Sequence, residues 1–427
     1  MKYFVALTLL ISVGLSYGQN EKPLTIDSCY LWARENYPMI KERGIILQTK
    51  QFTLENAWRG YIPQLNVNAQ ATYQSETANY GSLFATLPPQ FAGEIHFPTY
   101  SKDNANIDGQ VKQVIFDANA TKFKKENAVA QADVQQQNLE VSLYSLRDRV
   151  NQVYFGVLLI DQELKQNDLQ QADIQNGIDK TQALVNNGTA YKSNVDELKA
   201  QLLQTQQSKV DLVSTRRAYI MVLGLLINQT LDDITVLIAP QSPSLIPDIR
   251  RPELQWYELQ KKSYDVQSRQ LETGLLPQIN ATFDGEYGRP TLNPISNDFG
   301  AYWIAGIHVN WSLSTLYTLK NNKRLIALSQ NDLDVQKETF LFNTRVTMTQ
   351  QNEEIKKYGD LVSNDQQIVD LRESVKNASS AQLQNGVITS HDYLTQVDAE
   401  AQARVSLILH QVQLLQAEYN FQNTSGN

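Results

Sequence analysis

One helical pattern, from Asp117 to Asn187, limits more than any other stretch what this chain can fold into. Within it Leu139, Leu143, Leu146, Val150, Val153, Val157, Ile160 and Leu164 recur at alternating steps of four and three. That is a heptad seam; it contains no proline, and Gly156 is its internal break candidate. At the rise of an α-helix the stretch would run about 100 Å, too long to bury its stripe inside an ordinary globule. It needs partners of similar length, and the sequence offers Ser193–Gln229, Lys320–Asn385 and His391–Asn423. The last carries its own seam through Leu394, Val397, Ala401, Val405, Ile408, Val412, Leu415 and Tyr419.

Upstream the period changes. A helix is expected from a cap at Thr25, interrupted at Pro38, with a second helical stretch ending at Arg59. Leu65, Val67, Ala69, Ala71 and Tyr73 then alternate with Asn66, Asn68, Gln70, Thr72 and Gln74, the period of a strand with one apolar face. A return strand is expected near Ala105–Phe116, before the long helix.

The same order recurs. Pro38, Gly60 and Pro63 are matched by Pro252, Gly274 and Pro277, each 214 residues on. The strand repeats in phase, with Ile279, Ala281, Phe283, Gly285 and Tyr287 on one face, and its return strand runs Ala301–Leu313. Gly188 and Gly386 mark turns between paired long helices only 198 residues apart, so the first strand–strand loop is longer by about 16 residues. The expected layout is a first repeat over 19–235, with a strand hairpin at 61–116 and a helical hairpin at 117–230. A connector at 236–251 follows, holding Pro240, Pro243 and Pro247, and then a second repeat over 252–427, with a strand hairpin at 277–313 and a helical hairpin at 317–423.

Residues 1–18 read as an export signal: Lys2, an apolar core from Phe4 to Leu15, then Ser16-Tyr17-Gly18. The net charge of −8, with 37 basic against 45 acidic residues, and the lack of a basic stripe argue against nucleic acid. The single cysteine, Cys29, has no disulfide partner and suits a small apolar helix position. No stretch after the signal approaches eighteen uninterrupted apolar residues, so entry into a bilayer would have to be by strands.

Each strand has the length that crosses a bilayer when tilted, with polar faces expected to be nearly free of charge. Tyr61, Tyr73, Tyr287, Trp303 and Trp311 fall near strand ends, where an interfacial girdle would place them. Four strands cannot close a barrel, and an open edge is not tolerated in hydrocarbon. Several copies must pool their strands; two would supply eight and three would supply twelve. The polar long helices would stay outside the bilayer, with the loops Ser75–Lys102 and Gly288–Phe299 on the opposite side.

Arg251-Pro252-Glu253-Leu254 resembles the "RPEL" helix start of the TolC-like outer-membrane efflux protein family. Gly60-Tyr61-Ile62-Pro63-Gln64-Leu65 and Gly274-Leu275-Leu276-Pro277-Gln278-Ile279 resemble its paired strand entries. Asn186-Asn187-Gly188 with Asn194-Val195, and Gln384-Asn385-Gly386 with Asp392-Tyr393-Leu394, are similar to its helical turns. Ile115-Phe116-Asp117 resembles the opening of its long helix, with Ala118-Asn119 where the family has two glycines. The resemblance covers essentially the whole chain after the signal. It implies an α+β membrane protein: a homotrimer whose four strands per protomer pool into a 12-stranded transmembrane β-barrel on a periplasmic α-barrel of long antiparallel helical hairpins. It further implies an exit duct of a tripartite efflux pump or type I secretion system in the bacterial outer membrane, spanning outer-membrane lipid. Its partners would be a periplasmic adaptor (membrane fusion) protein and an inner-membrane RND or ABC-type transporter.

That family narrows its periplasmic entrance with aspartates after the second turn glycine. Asp392 occupies the first such position and Thr395 the second; Asn194 and Glu197 match them in the first half. Three symmetry-related Asp392 carboxylates near an axis would repel anions and favour cations. The adaptor-docking turns would be Asn187, Gly188 and Thr189, with Asn385, Gly386, Val387 and Ile388, where glycine permits a left-handed helix end. No cofactor or catalytic role is expected: His96, His308, His391 and His410 lack metal spacing, and no phosphate loop or nucleophile elbow is present. The competing reading is a trimeric coiled-coil structural or adhesive surface protein, which requires strands that stay out of lipid. A hydrolase is a distant third, with no constellation to support it.

Overall fold

A computed structural model describes residues 23–77, 100–293 and 296–427. The expected export signal, His96 and most of the loop Ser75–Lys102 lie outside them. In chain order the elements are α1 (Ile26–Asn36), a 3-10 turn (Pro38–Lys41), α2 (Glu42–Arg59), β1 (Gln64–Tyr73), β2 (Asp103–Phe116), α3 (Ala120–Tyr144), α4 (Leu146–Asn186) and α5 (Lys192–Ile227). The second half supplies α6 (Pro252–Gln270), a 3-10 turn (Leu271–Leu275), β3 (Gln278–Arg289), β4 (Gly300–Asn310), α7 (Thr315–Gln384) and α8 (Ser390–Ser425). None of the described helices is long and apolar enough to cross a membrane.

The chain forms two compact units, each drawing on both halves of the sequence repeat. The helical unit takes residues up to Pro38, Leu143–Ile249 and Thr344–Asn427. Thr25 caps α1 as expected, its Oγ1 accepting from the Ser28 N–H at 3.3 Å while the Ser28 hydroxyl accepts from the Thr25 N–H at 3.2 Å. One cluster joins Ile26, Cys29 and Ala33 of α1 to Val150, Tyr154, Phe155 and Val157 of α4, Ile220, Leu223 and Ile227 of α5, and Val412 and Tyr419 of α8. The Tyr154 hydroxyl donates to the carbonyls of Leu24 (2.8 Å) and Ile238 (2.7 Å), stapling the entry of α1 to the connector. A second cluster sits where the hairpins turn: Ile174 and Ile178 of α4, Val195 and Leu198 of α5, Leu383 of α7, and Tyr393, Leu394 and Val397 of α8.

The long pattern is interrupted once, at Ser145, and not at Gly156. Ser145 keeps helical angles (φ −63°, ψ −14°), so the break is slight. Gly156 serves packing instead: a Cβ there would lie 2.6 Å from the Tyr219 ring of α5. Gly177 does the same against Tyr393, at 2.7 Å.

The sheet unit comprises Met39–Ser142 and Arg250–Asn343. Its four strands run β1-β2-β3-β4, every neighbour antiparallel, and β1 and β4 are open edges. The β2–β3 pair joins the two sequence repeats, Val111 opposite Phe283 and Gly109 opposite Gly285. Register fixes where the helices attach. Gln64 opposes Lys112, Phe116 opposes Ile279 and Gln278 opposes Asn310, so the strand ends that meet α2, α3, α6 and α7 lie at one edge of the sheet. At the β2-to-α3 corner Ala118 (φ 56°) and Asn119 (φ 66°) adopt the left-handed conformation for which the related motif uses glycines. Asp117 pins that corner, its carboxylate accepting from the N–H groups of Asn119 (3.1 Å) and Thr121 (2.7 Å).

Candidate functional site

Two features can carry function: the ends of the helical hairpins and the two faces of the sheet. Both hairpins end in the same backbone motif. In the first, Gly188 has φ +76°, its N–H donates to Val185, and the Thr189 N–H donates to the Leu184 carbonyl at 2.9 Å. In the second, Gly386 has φ +67°, its N–H donates to Leu383, and the Val387 N–H reaches the Gln382 carbonyl at 2.9 Å. This is the Schellman closure, and it leaves Asn187, Gly188, Thr189, Asn385, Gly386 and Val387 exposed while Ile388 tucks against the tip cluster. Val387 and Tyr191 stand 70% and 80% exposed, an apolar rim beside two turns.

Immediately past the second turn α8 begins with a capping box. The Thr389 Oγ1 accepts from the Asp392 N–H at 3.2 Å, and Asp392 Oδ2 accepts from the Thr389 N–H (3.0 Å) and hydroxyl (2.7 Å). The expected aperture residue therefore also holds a helix start. Those two hydrogen bonds, helped by the nearby His391, keep its carboxyl below the usual aspartate range. Thr395 turns inward on its own helix, its hydroxyl donating to the His391 carbonyl at 2.9 Å. Glu197 crosses from α5 to α8, its Oε1 2.9 Å from His391 Nδ1. Asn194 sits half-buried in the first turn of α5, its N–H donating to Tyr191 at 3.1 Å. The structure thus groups Asp392, Thr395 and Glu197 around His391 and Thr389. Sequence reasoning passed over both of those partners, although the Thr-x-x-Asp spacing of a capping box was there to read.

Behind the tip lies a charged network that the sequence did not reveal. Lys376 of α7 approaches Asp173 of α4 at 2.6 Å and Glu400 of α8 at 3.6 Å. Arg404 bonds Glu400, which is buried, and reaches Glu373 at 2.8 Å. Asp398, between Gln170 (3.0 Å) and Gln201 (3.5 Å), is pushed above the usual aspartate range by burial. Among the described residues no group of three or more His, Cys, Asp or Glu is placed to hold a metal ion.

The sheet separates its chemistry by face. Leu65, Val67, Ile107, Val111, Phe283, Trp303, Ile307 and Val309 lie on one face by alternation and register, and several are open: Val67 is 74% exposed, Ile307 71% and Trp303 66%. The other face is amide-rich and bonded across strands, Asn68 to Asp108 at 2.9 Å, Asn106 to Glu286 at 2.5 Å and Gln110 to Asp284 at 2.6 Å. That face is more charged than its alternation suggested, holding Asp108, Lys112, Asp284 and Glu286. Tyr73, Tyr287 and Trp303 lie toward the loop end, and Tyr61 and Trp311 at the helix end. An exposed apolar face of this extent is foreign to a soluble monomer, which keeps such patches small.

No family description matches the sequence, and no curated protein matches it. Solved structures do. The channel CusC superposes with a TM-score of 0.68 at 12% identity, over 93% of this chain and 91% of that one. This chain has the fold of the outer-membrane channels. The open state of the Neisseria gonorrhoeae channel MtrE matches at 0.64, with 12% identity over 94% and 89% of the two chains. The Campylobacter jejuni channel CmeC matches at 0.62, with 13% identity over 94% and 85%. These three solved structures that share the fold are all described as membrane channels.

Proposed function

We propose that this chain is one protomer of an outer-membrane exit duct, a homotrimer whose sheets pool into a twelve-stranded transmembrane barrel and whose helical hairpins close into a periplasmic tunnel. The observation that carries the reading is the sheet. Its apolar face is exposed, its opposite face is a hydrogen-bonded amide and carboxylate surface, and β1 and β4 are free edges. Such a sheet is at rest only when lipid covers one face, water fills the other and neighbouring copies extend both edges. Shared fold with outer-membrane channels and the sequence motifs favour efflux, with a periplasmic adaptor at the hairpin turns and an inner-membrane transporter of RND or ABC type supplying the cargo. An adhesive stalk would have no use for an apolar sheet face.

The channel reading is tested with detergent-extracted protein, which should run as a heat-dissociable oligomer and conduct ions in planar bilayers. A monodisperse, detergent-free monomer that does not conduct would overturn it. At the aperture, Asp392→Asn keeps an acceptor for the Thr389 hydrogen bonds while removing the charge. We expect weaker block by multivalent cations with the helix start intact; unchanged block would remove Asp392 from the entrance. Crosslinking from Thr189 or Val387 to a co-expressed adaptor tests the docking turns, and capture only through the loops beyond the strands would count against them.

A further inference from the structure

The helix end of the sheet carries a charge opposite to that of the whole chain. Arg59 closes α2, and the first two turns of α3 hold Lys122, Lys124 and Lys125. Arg269 closes α6, and α7 opens on Lys320, Lys323 and Arg324. Across the segments 54–59, 117–126, 269–275 and 311–324 these eight cations face four carboxylates, Glu55, Asp117, Glu126 and Glu272, a net of +4 in a chain of −8. The strand register gathers all four segments at the same edge of the sheet, so the charge forms a collar and not a scatter.

Most of the acids are already committed. Glu126 pairs with Arg269 at 3.3 Å, Glu272 with Lys323 at 2.5 Å, and Asp117 caps its own corner. Among the described residues Arg59, Lys124, Lys125, Lys320 and Arg324 have no carboxylate within salt-bridge distance, and all but Lys125 are exposed. Interleaved with them are exposed aromatic and apolar side chains: Trp58, Trp311, Leu316 and Tyr317, the last 84% exposed. Leu54, Glu55, Trp58, Arg59 and Lys125 line one open depression, where apolar surface lies beside two cations and one carboxylate, a net positive charge. Aromatic rings that seek the headgroup level, mixed with uncompensated cations directly beneath an apolar sheet face, match the chemistry of an anionic lipid surface.

We infer that this collar binds the headgroups of anionic glycerophospholipids in the leaflet on the helix side of the barrel. Lys122, Lys124 and Lys125 meet the phosphates, and Trp58 and Tyr317 sit at the acyl boundary. The inference rests on the channel reading above and names the lipid class that its membrane face selects.

The test uses the full chain, reconstituted as its oligomer in nanodiscs of phosphatidylethanolamine with a minor fraction of phosphatidylglycerol, then released for native mass spectrometry. Wild-type protein should retain phosphatidylglycerol well above its bulk proportion. The Lys122→Gln, Lys124→Gln, Lys125→Gln triple variant should lose that enrichment, on the order of fivefold for each cation removed at low salt. The triple Lys→Arg variant should keep it. Should the triple Gln variant not assemble, Arg59→Gln with Arg324→Gln provides the same comparison. Bulk-proportion retention by the wild type, or full retention by the neutralised oligomer, overturns the proposal. Conductance recorded in the same lipids separates the two readings, since a conducting channel without lipid preference defeats only the collar. A wild type that never conducts defeats the channel.

Discussion

The helical unit and the sheet unit are built from the same chain by opposite rules. In the helical unit Val150, Tyr154, Phe155, Leu223 and Val397 are essentially inaccessible, and buried polar atoms such as the Tyr154 hydroxyl find carbonyls. In the sheet unit the large apolar side chains of β1, β3 and β4 face outward and Asn280 is the one strand residue among the described polar groups that is buried. The helical unit holds two apolar clusters within one chain, although Leu203, Val210, Leu225 and Leu371 stay exposed on it. The sheet turns its apolar surface outward and leaves both edges open, the state that the proposed barrel would complete with lipid on one face and a further copy at each edge.

That contrast is broken most severely by a charge on the apolar face. Ile307→Arg, near the middle of β4, should cost roughly 2–4 kcal/mol per copy if the face meets lipid. The heat-dissociable oligomer should vanish from the membrane fraction while the helical content by circular dichroism persists. Normal insertion of this variant would show the face is not lipid-facing. Phe155→Ala works on the other region, removing a fully buried ring from the helical cluster, with an expected loss of about 3–5 kcal/mol. Its melting transition should fall in any detergent, because no lipid compensates an internal cavity; a melting point that moved only with detergent would erase the distinction between the units.

The smallest effect sharpens the account of the helical interior. Burial raises the Asp398 carboxyl, so the folded state keeps a proton that the unfolded chain has already released. Stability conferred by that proton is present below the ordinary aspartate range and is lost as pH rises through the raised value. Asp398→Asn keeps acceptors for Gln170 and Gln201 without the charge, and should melt higher than wild type at neutral pH and equally in acid. A difference that does not depend on pH would point to packing instead.

Much of this architecture was written in local pattern. The cap at Thr25, the interruption at Pro38, the end of the second stretch at Arg59 and the two turn glycines follow from rules that act over a few residues, and each lies where that pattern put it. The same is true of strand faces, since alternation is dictated by the pleat alone. The aperture was less legible. Asp392 was identifiable, but its hold on Thr389 and the approach of Glu197 to His391 were not, the second because it joins positions 194 residues apart. Ser145 interrupts the long pattern while Gly156 does not, because Tyr219 on a neighbouring helix requires the space a glycine leaves.

By itself the sequence determined which segments are helices and strands, which side of each is apolar, and that four strands are too few to seal themselves. Only the tertiary structure decided that β2 pairs with β3 across the repeat, that the free edges are β1 and β4, and that eight scattered cations gather at one edge of the sheet. The physical reason is range. Dihedral preference and hydrophobic period act between neighbours, whereas pairing, register and the summed field of charges depend on which distant segments fold beside one another.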